Sequence, residues 1–382
     1  MFPPHASVHP LLVAVGCLNV DIIAPVPRLP ERDDRIMTTG FSKTLGGMAV
    51  NVACAAAALG PPWALRAELI APLGEDADSV WAEAEIQRHG VVTAWLDRTS
   101  RPRVTLCLIL VEASGERAIL SEPSRLDYGR IGERVEAARA EPGRRHIHAD
   151  GFHAPGAILM LKRARQAGWT VSLDVDELPA AYLQATRFAA LAAGFDVVFI
   201  NRGCAATVFG GDRAAWQTQL SALAARTGTL FLLTLGSQGC IVITPQQAPI
   251  AIAATPVATV DSTGAGDCFA GLPRLLAEWP GYHGSRPQSL DCGGALDHCA
   301  RRAGLSAECS GDPGEAENTS LMRIRAKRIA NGETLNLTTR LHVFAKQRFT
   351  SSAEHCLDDQ SIPERQLIHF GTPDRTQYHG FI

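Results

Sequence analysis

The chain has 382 residues, 46% hydrophobic and 20% charged, with a formal net charge of −3. This is an ordinary globular composition able to bury a sizeable core, and 36 Lys+Arg against 39 Asp+Glu gives no basic excess for a nucleic-acid partner. No apolar run reaches the ~18 residues of a membrane span, and the proline-broken start MFPPHASVHP lacks a basic segment leading into an apolar one, so a cytoplasmic protein without a membrane partner is expected.

In chain order, LLVAVGCLNVDIIAPV (11–26) reads as a buried first strand that leaves its sheet near Gly16. GGMAVNVACAAAALG (46–60) reads as an Ala-rich helix between a Gly pair and Gly60. AELIAPLG then predicts a strand, and DADSVWAEAEIQRHG an amphipathic helix ending at Gly90. RVTLCLILVEASGERAIL predicts two strands around a Ser-Gly turn. RRHIHADGF, TVSLDVDEL, FDVVFINR and TLFLLTLG follow as buried strands, separated by helical segments at 155–168, 179–193 and 212–227. This alternation predicts an α/β fold, a parallel sheet with helices on both faces and ligands beyond the carboxyl ends of its strands. After about residue 280 the chain becomes turn-rich, and 318–382 is polar with little periodicity.

DSTGAGD (261–267) sets two carboxylates around a Gly-Ala-Gly turn. A Gly-rich turn opening a helix presents free N–H groups to an anion, and glycine lets the backbone approach a phosphate closely. Asp267 would sit beside that anion, able to take a proton from an attacking hydroxyl. The plain alternative is a capping turn. Asn19 and Asp21 fall past a buried strand, and Asn51 follows Gly46–Gly47 inside a helix. Carboxylates and amides so placed suit the hydroxyls of a polyol, although a turn and a polar helix face would also use them. His146, His148 and His153 are better read as strand histidines than as metal ligands. Cys17, Cys54, Cys107 and Cys240 fall in apolar runs and read as core. The ten cysteines form no C-x-x-C pair.

Four segments in order, VGCLNVDII, GGMAVNVACAAAALG with APLGEDADS, LLTLGSQGCIVI, and VDSTGAGDCFAG, resemble the ribokinase-like (PfkB) carbohydrate kinase family. The resemblance implies a ribokinase-like three-layer α/β/α sandwich with a mostly parallel central sheet and a small β-sheet lid. The kinase domain would span 11–310, with lid segments near 20–42 and 100–125, leaving 311–382 as a divergent polar tail. It implies transfer of the γ-phosphoryl group of ATP, with Mg2+, to a sugar hydroxyl. By resemblance, Asp267 is the catalytic base, and Gly264, Ala265 and Gly266 form the anion hole. Asn19, Asp21, Gly46, Gly47 and Asn51 are sugar contacts. Asn201, Thr234, Gly236, Ser237, Gly239 and Thr263 are nucleotide contacts. A monovalent-cation site and a lid-edge homodimer are further implications. Two features depart from the family pattern. Cys204 stands where the family's N-x-x-E motif has Glu, and the chain after Gly271 departs from the helices expected to close the adenine site. Those departures motivate a binding protein on the kinase scaffold as an alternative; a nucleoside kinase of the same superfamily is another, separated by the choice of acceptor.

Overall fold

The apolar run 11–26 is two strands in two different sheets. The computed structural model describes residues 9–59, 64–254 and 264–271. Its strands are β1 (Leu11–Val15), β2 (Asn19–Val26), β3 (Ser42–Gly46), β4 (Arg66–Ile70), β5 (Thr105–Glu112), β6 (Arg117–Ser121), β7 (Arg145–Ala149), β8 (Thr170–Asp174), β9 (Val197–Asn201), β10 (Leu230–Thr234), β11 (Cys240–Ile243) and β12 (Ile250–Ile252). Its helices are α1 (Met48–Ala57), α2 (Ala77–Arg88), α3 (Gly129–Ala137), α4 (Ala154–Gln166), α5 (Ala185–Ala192), α6 (Arg202–Phe209), α7 (Arg213–Thr227) and α8 (Ala265–Ala270). The break between β1 and β2 falls at Gly16, whose φ of +152° lies where a side chain is disfavoured.

The large sheet has eight strands in the order β12-β11-β10-β9-β8-β7-β1-β4. From β4 to β10 every pairing is parallel; β11 and β12 add antiparallel strands at one edge. Apart from the edge strand β12, its strands are largely buried on both faces, and alternate residues enter different cores. Val13, Val15, Ile147, Val171 and Phe231 pack with Leu161, Phe188 and Leu220 of α4, α5 and α7. Leu12, Ala14, Leu69 and Phe199 pack with Val50 and Val52 of α1 and Ile86 of α2. A helix layer on each face is therefore obligatory, because either face alone would leave apolar side chains in water. The small sheet, in the order β3-β2-β5-β6, pairs β2 parallel to β5 and is otherwise antiparallel. β2, β5 and β6 overlap the segments 20–42 and 100–125 expected for the lid, whereas β3 starts only where the first of these ends.

Some local expectations need adjustment. The helix expected at 179–193 is a 3-10 turn at Ala180–Tyr182 followed by α5. Pro179 precedes that turn with an extended ψ of 136°, so the helix cannot begin there. Helices α3 and α6 lie outside the segments read as helical. Each starts and stops within nine residues, too short for a clear apolar period. The domain limits 11–310, the tail 311–382, Asp261 and Thr263 fall partly or wholly outside the described residues.

Several buried polar groups find partners across elements. His146 and His148 on β7 share the Ser172 hydroxyl of β8, at 2.7 and 2.8 Å, and His146 also meets Thr170 at 2.7 Å. Burial pushes His148 down to about 3, so it is a neutral core group. Arg134 of α3 is 2% exposed and pairs with Glu68 of β4 and with Glu141 at 3.0 Å. Cys17, Cys54, Cys107 and Cys240 are buried, as expected of core cysteines.

Candidate active site

Because β1, β7, β8, β9 and β10 run parallel, their carboxyl ends open on one edge of the sheet. That edge carries Gly16, Asp150, Asp174, Asn201 and Thr234. Helix α8 brings Asp267 to it by packing on α1. A Cβ at Gly271 would meet the Val52 carbonyl at 2.8 Å and the Ala55 methyl at 2.9 Å, so the two helices lie almost backbone to backbone.

Asp267 is 9% exposed in the first turn of α8. The Asn51 side-chain amide donates to its Oδ2 at 2.7 Å, across 216 residues of chain. Gly264 caps the helix at φ +71°, and a Cβ there would press on the Asn51 amide at 3.1 Å. Glycine is required by both backbone and space. Asp174 lies on the other side of the turn, its Oδ2 4.0 Å from where a Cβ on Gly266 would stand. Burial first, then the charge of Asp267, push Asp174 up to about 8.

The lid side is equally close. Asp21 on β2 lies opposite Thr44 and Cys107. A Cβ on Gly46 would run into its carboxylate. Gly47 starts α1 at φ +103°, and a Cβ there would fall 2.8 Å from the Leu18 Cα. Asn19 is registered between Gly46 and Thr105. Thus Asn19, Asp21, Gly46 and Gly47 converge where the lid meets the sheet, whereas the Asn51 amide is turned onto Asp267.

Two acidic residues of this edge were missed in the sequence. Asp150 is fully buried beyond β7, its oxygens accepting from the backbone N–H of Cys17 at 2.6 Å and of His153 at 2.8 Å. Burial raises its pKa, against a smaller pull from His153. The His153 ring joins Tyr128 at 3.1 Å and Ser124 at 2.9 Å. Glu177 follows β8 with φ +58°, left-handed for a residue with a side chain. An Asp just past a buried strand was the signal used for Asp21, and HADG carried the same signal for Asp150.

The remaining candidates sit on the neighbouring strands. Thr234 and Asn201 are paired in register at the ends of β10 and β9. Gly236 and Ser237 form a 3-10 turn closed by Gly239, and the Leu235 N–H donates to the Gly239 carbonyl at 2.8 Å. Gly239 has φ +87° and touches the chain after β12, where a Cβ would be 2.7 Å from the Ala254 nitrogen. Asn201 caps α6 by accepting from the Cys204 N–H at 2.8 Å. Burial, then Asp176 and Asp174, push the Cys204 thiol up to about 12, so it stays protonated at neutral pH.

A family model described as pfkB family carbohydrate kinase matches residues 9–310. The chain belongs to the pfkB carbohydrate kinases. This pfkB kinase is 26% identical over 276 residues to the ATP-dependent ribose-1-phosphate kinase of Halopiger xanaduensis, covering 70% of this chain and 84% of that one. It is 24% identical over 267 residues to the ribokinase of Schizosaccharomyces pombe, covering 68% and 83%. The structure of Arabidopsis thaliana ribokinase complexed with ribose and ATP superposes with a TM-score of 0.57 at 21% identity, covering 80% and 94%. The fold is thus ribokinase-like, and the pfkB membership makes the chain a phosphotransferase acting on a sugar hydroxyl.

Asp174 gives this pfkB kinase a pH-dependent stability. Folded, it keeps its proton up to about 8; unfolded, it loses it near the ordinary carboxylate value of about 4. Between those values the folded state binds the extra proton, so this contribution falls as pH rises from about 4 to about 8. Asp174→Asn is therefore expected to raise Tm more at about pH 8.5 than at about pH 5. Melting curves at the two pH values check this, and an equal gain at both would contradict the raised carboxyl.

Proposed function

We propose that this pfkB kinase transfers the γ-phosphoryl group of ATP to a sugar hydroxyl, with Asp267 as general base. The observation that carries the reading is the Asn51–Asp267 hydrogen bond beside Gly264. It fixes the carboxylate next to the turn whose backbone would face the transferring group. In the reaction, Asp267 would take the acceptor hydroxyl proton as the oxygen attacks phosphorus. N–H groups of Gly264, Ala265 and Gly266 would stabilise charge on the equatorial oxygens. Asn19, Asp21, Gly46 and Gly47 would orient the sugar where the lid meets the sheet. Thr234, Gly236, Ser237 and Gly239 would line the nucleotide side, with Thr263 assigned by resemblance alone.

Mg2+ prefers oxygen donors and is usually held by one or two carboxylates together with nucleotide phosphates. Asp176, and its neighbour Asp174 beside Gly266 once it exchanges its proton for the cation, would fit that demand; the protonated Cys204 thiol does not. When bound with the nucleotide, Mg2+ would neutralise phosphate charge. Cys204→Glu is expected to lower the Mg2+ concentration needed for half-maximal rate by about three- to tenfold, as a third carboxylate joins the site. A Mg2+ titration of both proteins checks it, and an unchanged midpoint would remove Cys204 from the metal argument.

The reading is tested by an acceptor screen with ATP and Mg2+, following ADP release by native protein and Asp267→Asn. Sugar-dependent ADP release that is lost in the variant supports it. Tight sugar binding without phosphoryl transfer at any Mg2+ level would favour a binding protein on the kinase scaffold.

A further inference from the structure

Asp150 is a fully buried carboxylate to which the phosphoryl-transfer steps give no part. It lies where the two sheets are joined. The chain passes between the large sheet and the lid four times: at 16–18 into β2, at 46–47 out of β3, at 102–104 into β5 and at 122–128 out of β6. Three of these passages lead back to one turn, residues 150–153, between β7 and α4.

The first passage is held by Asp150. Its Oδ2 accepts from the Cys17 N–H at 2.6 Å, two residues before Asn19. Gly16 makes the room, since a Cβ there would run into the carboxylate. The second passage is seated against the first: a Cβ on Gly47 would fall 2.8 Å from the Leu18 Cα. The fourth is held by His153, whose Nε2 meets the Ser124 hydroxyl at 2.9 Å while its Nδ1 meets the Tyr128 hydroxyl at 3.1 Å. Ser124 closely follows β6, where the Ser121 hydroxyl accepts from the Cys107 thiol at 3.1 Å; Cys107 is registered with Asp21. The two fasteners are tied to each other, because Asp150 Oδ1 accepts from the His153 N–H at 2.8 Å. The turn itself is fixed to the large sheet. The Asp150 N–H donates to the Val15 carbonyl at 3.1 Å, and a Cβ on Gly151 would meet the Asp174 carbonyl at 2.9 Å. Asp150 and His153 are 0% and 1% exposed, so water does not compete for these bonds.

We propose that the 150–153 turn is the bracket that sets the lid on the large sheet, and that Asp150 and His153 are positioning residues for the acceptor. Asp150 acts through Cys17 on Asn19 and Asp21, and His153 acts through Ser124 on β6 and β5. The effect on the acceptor rests on the sugar-kinase reading; the bracket itself does not. Binding groups displaced by about 1 Å lose much of their effect. The nucleotide-side residues Thr234, Gly236, Ser237 and Gly239 end or follow β10, three strands along the sheet from β7, so their geometry is independent of the turn.

The test uses the full chain with ATP, Mg2+ and the best acceptor among ribose and fructose. Asp150→Asn keeps the shape of the side chain, but its amide nitrogen cannot accept from the second N–H. It is expected to raise acceptor KM by about tenfold or more while ATP KM stays within about twofold. Ser124→Ala removes only the half-buried hydroxyl that His153 meets and should raise acceptor KM by about three- to tenfold. Hydrogen exchange of the protein without sugar reads the bracket directly. Amides of β2, β3, β5 and β6 should exchange about tenfold faster in Asp150→Asn, with those of β9 and β10 unchanged. An acceptor KM left unchanged, an ATP KM that rises in step with it, or exchange that is unchanged or accelerates in both sheets alike would overturn the proposal. Should Asp150→Asn not fold, Ser124→Ala decides by the same two readouts. If neither sugar is phosphorylated, the kinase reading fails separately, and the exchange pattern alone decides the bracket.

Discussion

Asp267→Asn is expected to lower kcat for sugar-dependent ADP release by about 10²- to 10⁴-fold, the usual contribution of a positioned general base. The change removes the proton acceptor while keeping the shape of the side chain. An Asn at this position can turn its carbonyl towards the Asn51 amide, so the hydrogen bond that joins α8 to α1 is retained. Sugar KM should therefore move little, because the lost interaction belongs to the transition state. Steady-state kinetics give both parameters, and a melting curve confirms that the variant is folded. A variant that keeps the native kcat would refute the base assignment. A fall confined to KM would instead mark Asp267 as a binding group.

The largest expected stability effect lies away from the site. Arg134→Met removes the guanidinium from Glu68, which is 3% exposed. A buried carboxylate deprived of its partner typically costs about 3–5 kcal/mol. Arg66 also reaches Glu68, at 3.0 Å, but its side chain is 44% exposed and cannot replace the enclosed contact. The Arg134 guanidinium also lies 5.3 Å from the Trp95 ring, and its Nη1 is buried without a partner. The pair is therefore not an optimised one, and the double variant Arg134→Met, Glu68→Leu should recover most of the loss. Urea unfolding of the single and double variants measures the difference. A single variant within about 1 kcal/mol of native would show that water or Arg66 compensates for the charge.

The sequence alone determined the parts of this kinase that depend on nearest neighbours and period. Continuous apolar runs marked the buried strands because both faces of a parallel sheet are covered. Gly46–Gly47 and Gly264 could be read as turns because left-handed or crowded backbone admits little else. The order of four motifs carried the family. Short helices such as α6 escaped notice because eight residues hold barely two turns of period, and the cap at Asn201 was the better signal. What only the tertiary structure decided was which groups meet. Asn51 was read as a sugar contact, and its amide lies on Asp267, 216 residues away, because α8 packs flush against α1. Asp174 acquires its raised pKa from burial and from the charge of Asp267, neither of which is a property of TVSLDVDEL. Asp150 meets the Cys17 N–H, 133 residues away, because β1 and β7 are parallel neighbours that end on the same edge. Local propensity and spacing are written residue by residue; field, burial and proximity arise only when distant segments share a volume.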